Sequence, residues 1–194
     1  MANKIKYGLS KVYYAVATIA SNGSATYDTP VALPGAVSLT LDAEGSRTDF
    51  WADNIKYWVG NANNGYSGSL ELALIPEDFY TDVLGEFEDA KKVRFEETGA
   101  QDVHFALLFQ FEGDDSATRH VIYNCIAGRP ANSGSTKEDS IEPQTQTIDI
   151  TATAIYNATL DKYLVKASTK SDTDTTVYGN WFSAVQNYVA PATT

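Results

Sequence analysis

Residues 147–156 read TIDITATAIY, and the alternation of apolar with small polar side chains makes this stretch the clearest strand signal in the chain. Successive side chains of a β-strand point to opposite faces, so the pattern predicts a strand with one buried face and one hydrated face. The apolar face carries Ile148, Ile150, Ala152, Ala154 and Tyr156, and the polar face carries Thr147, Asp149, Thr151 and Thr153. A polar face of this length predicts a surface in contact with water.

The same period of two recurs along most of the chain and predicts a mainly β fold. Two other strands carry small polar side chains opposite leucines: Ser38, Thr40 and Asp42 in one, and Ser67, Ser69 and Glu71 in the other. Further strands are predicted at 12–20, 93–96, 103–112, 118–127, 163–167 and 176–178. Residues 113–116 form the turn of a hairpin between two of them.

Helices and irregular segments are few in this prediction. Pro76 suits a first helical position, acidic residues follow it, and Gly85 can end the helix, so one short helix is expected there. Asn180 is a candidate cap for a second short helix that carries Trp181 and Phe182. Residues 128–143 are rich in Gly, Ser, Asn and Pro and are predicted to form a long loop.

Composition narrows the class of protein. The 194 residues fit one ordinary domain, and the formal net charge of −11 argues against tight binding to nucleic acid phosphates. Cys125 is the single cysteine, which excludes an intramolecular disulfide. The opening MANKIKYGLSK has no apolar run like a signal-peptide core, and no stretch is long enough to cross a bilayer. We therefore expect a soluble protein made in the cytoplasm, without a membrane anchor.

Residues with catalytic or metal-binding chemistry are poorly placed. His120 and Cys125 lie five residues apart on one predicted strand and so point to opposite faces. His104 faces Cys125 across the hairpin in one register, and a slip of one residue abolishes that pair. Asp172 and Asp174 begin like a calcium loop, but Val177 stands where such a loop needs Gly. We expect no enzyme activity, no metal and no cofactor.

Charge is unevenly distributed along the chain. Residues 1–27 contain three lysines and no acid, whereas residues 71–89 contain seven acids and no base. One interpretation is two separate solvated surfaces; the other is a head-to-tail contact between copies, in which the basic segment docks on the acidic one. The candidate contact residues, which include some from the long loop, are Lys4, Lys6, Lys11, Arg129, Lys137, Glu138 and Asp139.

Three long stretches resemble a known family. GYSGSLELALIPEDFYTDVLGE at 65–86, FALLFQFEGDDSATRHVIYNCIAGRP at 105–130 and KEDSIEPQTQTIDITATA at 137–154 are similar to the major tail protein of long non-contractile-tailed bacteriophages. The opening KIKYGLSKVYYA is similar as well. Together these stretches cover most of residues 4–156. The resemblance implies a tail tube protein with a β-sandwich or barrel-like core, one flanking short helix and long loops.

The family implies an assembly and a location. Its members form stacked hexameric rings in which sheets from six subunits join into a continuous barrel around a channel for the genome. Expected partners are further copies of the chain, the tape-measure, terminator and baseplate proteins of the tail, and double-stranded DNA that passes without specific binding. The location implied is the tail tube of a virion, after assembly in the host cytoplasm. Residues 1–156 would form the tube domain, with 157–194 an extension packed on it.

The polar strand faces are the candidate wall of that channel. Closing a sheet across subunits requires strands with a hydrated inner face and removes exposed edges. The candidate lumen-facing residues are Ser38, Thr40, Asp42, Ser67, Ser69, Glu71, Thr147, Asp149, Thr151 and Thr153.

Three alternative functions remain open. A carbohydrate-binding β-sandwich would use aromatic side chains such as Trp51, Tyr57 and Trp58, which core packing explains equally well. An enzyme would centre on His104 and Cys125. The third alternative is a tube subunit of a related contractile or type VI injection machine.

Overall fold

The computed structural model describes residues 3–136 and 142–190. Strands make up 49% of the described residues and helices 6%, which confirms the mainly β prediction. The strands are β1 Lys6–Ile19, β2 Ala25–Tyr27, β3 Val31–Ala32, β4 Ala36–Glu44, β5 Arg47–Ala52, β6 Ile55–Asn61, β7 Gly65–Leu72, β8 Phe87–Glu88, β9 Arg94–Phe95, β10 Phe105–Gly113, β11 Thr118–Ala127, β12 Gln146–Thr153, β13 Ile155–Asn157, β14 Lys162–Leu164 and β15 Lys166–Ser168. The helices are α1 Glu77–Asp82 and α2 Thr175–Gly179.

One large antiparallel sheet organises the chain. Its order is β2-β1-β10-β11-β12-β7-β4, with β15 also paired to β11 and β3 to β1, and three separate hairpins accompany it: β5–β6, β8–β9 and β13–β14. The sheet curls so that β3, paired to β1, leads directly into β4 at the far edge. Backbone hydrogen bonds from Leu33 to Val12 and from Ala73 to Gly35, both 2.8 Å, hold this crossing. Within the described residues the strands form no closed barrel.

The concave face of the curled sheet holds the larger hydrophobic core. Side chains of β1, β10 and β11 meet those of β7 and β12 there, and the predicted helix α1 covers one side. Phe79 of α1 packs edge-on against Tyr14 and Phe105, with ring centroids 5.2 and 5.9 Å apart. The hydroxyl of Tyr14 donates to Asp82 at 2.8 Å, which fixes the helix against β1.

A second core covers the opposite face of β1, β10 and β11. Leu108, Val121 and Tyr123 are buried there beneath Trp181 from the C-terminal segment. Phe182 stacks on Tyr13 with a centroid distance of 4.9 Å. Because both faces are covered, residues 105–110 are all buried, and this explains why FALLF reads as a continuous apolar run instead of an alternating one.

The C-terminal helix was predicted in the wrong place. Residues 176–178, predicted as a strand, belong to α2, and no helix follows Asn180 within the described residues. The Asp174 carboxylate decides this, because it accepts hydrogen bonds from the backbone N–H groups of Thr176 (2.9 Å) and Val177 (3.1 Å) and caps the helix. Burial of Trp181 then fixes the segment beyond.

Two other boundaries also differ from the prediction. Strand β1 begins at Lys6, because Gly8 and Lys11, both with positive φ, form irregularities that hide the period of two. The strand predicted at 163–167 is divided between β14 and β15, which pair with different partners.

We predict that the two cores respond equally to truncation on β10. Leu107→Ala opens the concave core and Leu108→Ala the second core, and each should lower the free energy of unfolding by about 2–5 kcal/mol. The control is Leu74→Ala, since Leu74 is 69% exposed and should change the stability little. Denaturant unfolding followed by tryptophan fluorescence measures all three. An effect of Leu108→Ala no larger than that of the control would contradict the double burial.

Candidate functional site

The structure brings the predicted polar positions together on one face of β12, β7 and β4. Nine of the ten lie in three cross-strand rows: Thr147–Glu71–Ser38, Asp149–Ser69–Thr40 and Thr151–Ser67–Asp42. Thr153 continues β12 beyond the rows, opposite Asn124 of β11. We call these ten residues, together with Glu44 at the end of β4, the polar face. The opposite side of the same strands holds Leu70, Leu72, Ile148 and Ile150, all buried.

The polar face is acidic and rich in hydroxyl groups. Four of its members are carboxylates and none is a lysine or arginine. Ser38 and Thr145 donate hydrogen bonds to the two oxygens of Glu71, at 2.8 and 2.6 Å, and the bonds from Thr145 and then Ser38 hold the pKa of Glu71 below its usual value. The hydroxyl of Ser67 donates to Glu44. Hydroxyl groups thus help to keep Glu71 charged.

Gly68 permits the close approach of β4 to β7 under the polar face. A Cβ at this position would collide with the carbonyl oxygen of Thr40. A glycine inside an otherwise alternating strand is the sequence signal for such an approach.

One edge of this surface is unpaired. Strand β4 lies at the end of the large sheet and pairs with β7 alone among the described residues. Alternate residues along this nine-residue strand therefore present backbone N–H and C=O groups to the outside. A long open edge of this kind is a template for pairing with a strand of another chain.

The hairpin β5–β6 is an exposed aromatic arm. Asp53 and Asn54, with φ of 49° and 59°, form its tight turn. Trp51, Tyr57 and Trp58 are 61%, 69% and 56% exposed, so core packing does not explain these aromatic side chains. Exposed apolar surface of this kind marks an interaction site.

Four of the predicted inter-subunit contact residues make contacts within their own subunit. Lys4 donates its backbone N–H to Asp114 at 2.7 Å, and the Lys6 ammonium lies 4.3 Å from the centroid of Phe111. The Lys11 ammonium lies 6.0 Å from the ring centroid of Phe182. Arg129 pairs with Glu96 at 2.5 Å. Lys137, Glu138 and Asp139 lie outside the described residues, and an inter-subunit role for the other four stays a prediction.

The register at the hairpin separates Cys125 from His104. Cys125 pairs with Phe105 and is fully buried in the concave core, where desolvation raises the pKa of its thiol to about 12. His104 instead contacts Asn124, with 2.7 Å between Nδ1 and Oδ1. A one-residue irregularity between Phe105 and Leu107 sets this register. The structure therefore contradicts the facing arrangement of Cys125 and His104 that one register of the hairpin offered.

The other candidate residues have structural surroundings. His120 stacks on Phe109 at 5.1 Å, and desolvation, aided by the charges of Lys6 and Lys166, lowers its pKa to about 4. Asp174 caps α2, as described above. In residues 3–136 and 142–190, no group of three or more His, Cys, Asp or Glu is placed to hold a metal ion. None of the helices described is long and apolar enough to span a membrane.

Comparison with known proteins assigns this chain to no family. No family model and no curated protein matches the chain. Among solved structures, the chain is similar to a chain in the six-fold symmetrised cryo-EM structure of the anti-feeding prophage baseplate. The two are 11% identical, the TM-score is 0.46, and the match covers 89% of this chain and 99% of the other. A likeness at this level assigns no function.

We predict that Cys125 does not react with a thiol-specific reagent in the folded protein. Burial removes both access to the sulfur and the thiolate form, which is scarce well below a pKa of about 12. A chromogenic disulfide reagent at pH 8 should release no signal until denaturant is added, and then the signal of one thiol per chain. Rapid labelling without denaturant would contradict this burial and revive the cysteine-enzyme alternative.

Proposed function

We propose that this chain is a structural subunit that polymerises into a hollow tube, and that the tube is the tail tube of a long non-contractile-tailed bacteriophage. Copies form stacked hexameric rings around an acidic channel through which DNA travels. One observation carries the proposal: an acidic, hydrated sheet face, backed by a core, lies next to an unpaired strand edge.

The open edge of β4 supplies the step from one copy to a ring. Pairing this edge with a strand of a neighbouring copy extends the sheet and satisfies its free backbone groups. Repetition around a closed ring turns six sheets into one barrel without edges. The buried leucines of β7 and the partly buried leucines of β4 lie on the side of the core, so the polar face is the one that lines the bore.

The charge of that face suits passage of DNA. Carboxylates of the polar face repel the phosphates of a duplex, and no lysine or arginine of that face is present to hold them. At physiological salt the repulsion is confined to about 8 Å, so it acts near the wall. The duplex would therefore slide without being trapped.

The aromatic arm supports self-association of the subunit. Six large apolar side chains of β5 and β6 are at least 40% exposed: Phe50, Trp51, Ile55, Tyr57, Trp58 and Val59. An isolated two-stranded hairpin gains little stability on its own. Burial of these side chains against another copy would remove the exposed patch and order the arm.

The resemblance falls on the elements that build this surface. The stretch 65–86 contains β7 and α1, and the stretch 105–130 contains β10 and β11. Residues 142–154 contain β12. The similar segments thus supply most of the concave core and two of the three strands of the polar face.

Further features of the proposal come from the family alone. They are contacts with tape-measure, terminator and baseplate proteins, and a location in the virion after assembly in the host cytoplasm. The proposal gives the chain no bond-making role, which agrees with the burial of Cys125 and the packing of His120 between aromatic rings.

Carbohydrate binding is the second candidate, favoured by the exposure of Trp51, Tyr57 and Trp58. Exposed aromatic faces stack on sugars as well as on protein. A monomer that binds glycans through the hairpin and never polymerises would support this candidate.

The test is negative-stain electron microscopy of concentrated protein. The wild-type chain should form rings or hollow tubes of uniform diameter. The double variant Phe50→Ser/Trp58→Ser should remain folded and fail to form them, because it removes two apolar side chains from the arm. The control is Val189→Ser, which replaces a side chain that is 84% exposed elsewhere and should assemble like the wild type.

Two outcomes would contradict the proposal. A wild-type chain that stays monomeric at every concentration and salt would exclude a tube subunit. Tubes from the double variant at the wild-type concentration would show that the aromatic arm takes no part in assembly.

A further inference from the structure

We propose that rings stack head to tail through a specific contact between two copies. The turn end of the β10–β11 hairpin of one copy meets the open end of the same hairpin in the next copy. The N-terminal segment of one copy docks in a cleft at the opposite end of the next copy. This inference rests on the proposed function, because it names the surfaces that join successive rings.

The two surfaces lie at opposite ends of the molecule. Lys6 of β1 pairs with Gly113, the last residue of β10. The cleft is formed by residues just before Phe105, the first residue of β10, and just after Ala127, the last residue of β11. A nine-residue strand is about 27 Å long, so the two surfaces cannot meet within one copy. A contact between unlike ends leaves a free end on each copy and propagates as a stack.

The docking segment is a rigid ridge formed by residues 3–7, which we call the N-terminal ridge. Asn3 accepts hydrogen bonds from the backbone N–H groups of Asp115 and Ser116, both at 3.0 Å, and so ties the ridge to the β10–β11 turn. Ile5 and Tyr7 are 60% and 55% exposed, which gives the ridge an apolar surface. An ordered segment loses little entropy when it docks.

The lysines of this ridge have no acidic ion-pair partner in the part of the chain that the structure describes. Neither Lys4 nor Lys6 forms an ion pair with any residue of the described ranges. Two nearby carboxylates are already engaged: Glu112 accepts from Ser10 at 2.7 Å and from Gln110 at 3.0 Å. Asp114 accepts the backbone N–H of Lys4. The ridge therefore carries two unpaired positive charges beside exposed apolar side chains.

The receiving cleft has the complementary character. It encloses about 420 Å³ between the end of α1, residues 96–102 and residues 127–129. Its lining includes the partly exposed apolar side chains of Leu84 and Ala127, and also Arg129, whose charge is paired with Glu96. Glu97 and Asp102 add two carboxylates that form no ion pair within the described part of the chain. Apolar lining can thus receive Ile5 and Tyr7 while the two carboxylates meet Lys4 and Lys6.

This cleft replaces the acidic stretch 71–89 as the receiving surface. Glu86 pairs with Arg94 at 2.7 Å and Glu88 with Lys92 at 2.9 Å. Glu71 belongs to the polar face, and Asp82 accepts the hydroxyl of Tyr14. Five of the seven acids of this stretch, Asp89 included, are engaged in the folded chain. Glu77 and Asp78 at the start of α1 stay exposed, as do Glu97 and Asp102 of the cleft.

Disulfide trapping tests the contact. A chain carrying both Tyr7→Cys and Thr98→Cys places one thiol on the N-terminal ridge and one in the cleft. Oxidation of assembled material should join many chains into a ladder on a denaturing gel. Each single variant has one exposed thiol and should give at most a dimer, since Cys125 is buried.

Charge exchange tests the same contact without a crosslink. Lys4→Glu/Lys6→Glu should raise the concentration needed for assembly by about tenfold, the factor that corresponds to about 1.4 kcal/mol. Adding Glu97→Lys/Asp102→Lys to the same chain should restore assembly. The control Lys162→Glu reverses an exposed charge that belongs neither to the N-terminal ridge nor to the cleft, and it should leave assembly unchanged.

The outcomes separate this inference from the proposed function. Tubes that form normally from the Lys4→Glu/Lys6→Glu chain and give no ladder from the double-cysteine chain would overturn the head-to-tail contact and leave the tube proposal standing. A wild-type chain that forms neither rings nor tubes would overturn both.

Discussion

The burial of one face of β7 and β12 is the constraint on which the rest of the molecule depends. Leu70, Leu72, Ile148 and Ile150 are at most 2% exposed, and removing such side chains from water is the main stabilising contribution in a fold of this kind. Strand geometry then leaves the alternate residues on the other side. The acidic, hydroxyl-bearing surface is therefore a necessary consequence of the core, and a register slip of one residue would destroy both.

The same sheet explains why the chain would not act alone. Its central strands are covered on both faces, by α1 and the concave core on one side and by Trp181 and Phe182 on the other. At the end of the sheet, however, β4 keeps an open edge, and the β5–β6 arm holds aromatic side chains in solvent. Buried central strands combined with an open strand edge and an exposed aromatic hairpin are the arrangement expected of a subunit whose remaining contacts come from other copies.

Period-two patterning predicted the strands of the polar face, and the structure groups these residues because 38–42, 67–71 and 147–151 belong to adjacent strands. The pattern could not give that adjacency, since strand order depends on long-range pairing. It also failed where local interactions decide: Asp174 caps α2 over residues that were predicted to form a strand. The Cys125 register depends on a single irregularity in the β10–β11 hairpin. Charge counting could not show which acids of the stretch 71–89 are engaged, because ion pairs formed on folding, such as Glu86–Arg94 and Glu88–Lys92, are invisible in a sequence.

The most direct measurement is a cryo-EM reconstruction of the assembled protein. We predict a hollow polymer in which β4 is hydrogen-bonded to a strand of the neighbouring copy and Thr40, Ser69 and Asp149 face the bore. A reconstruction in which that row faces outward, or in which β4 remains unpaired at the surface, would contradict it.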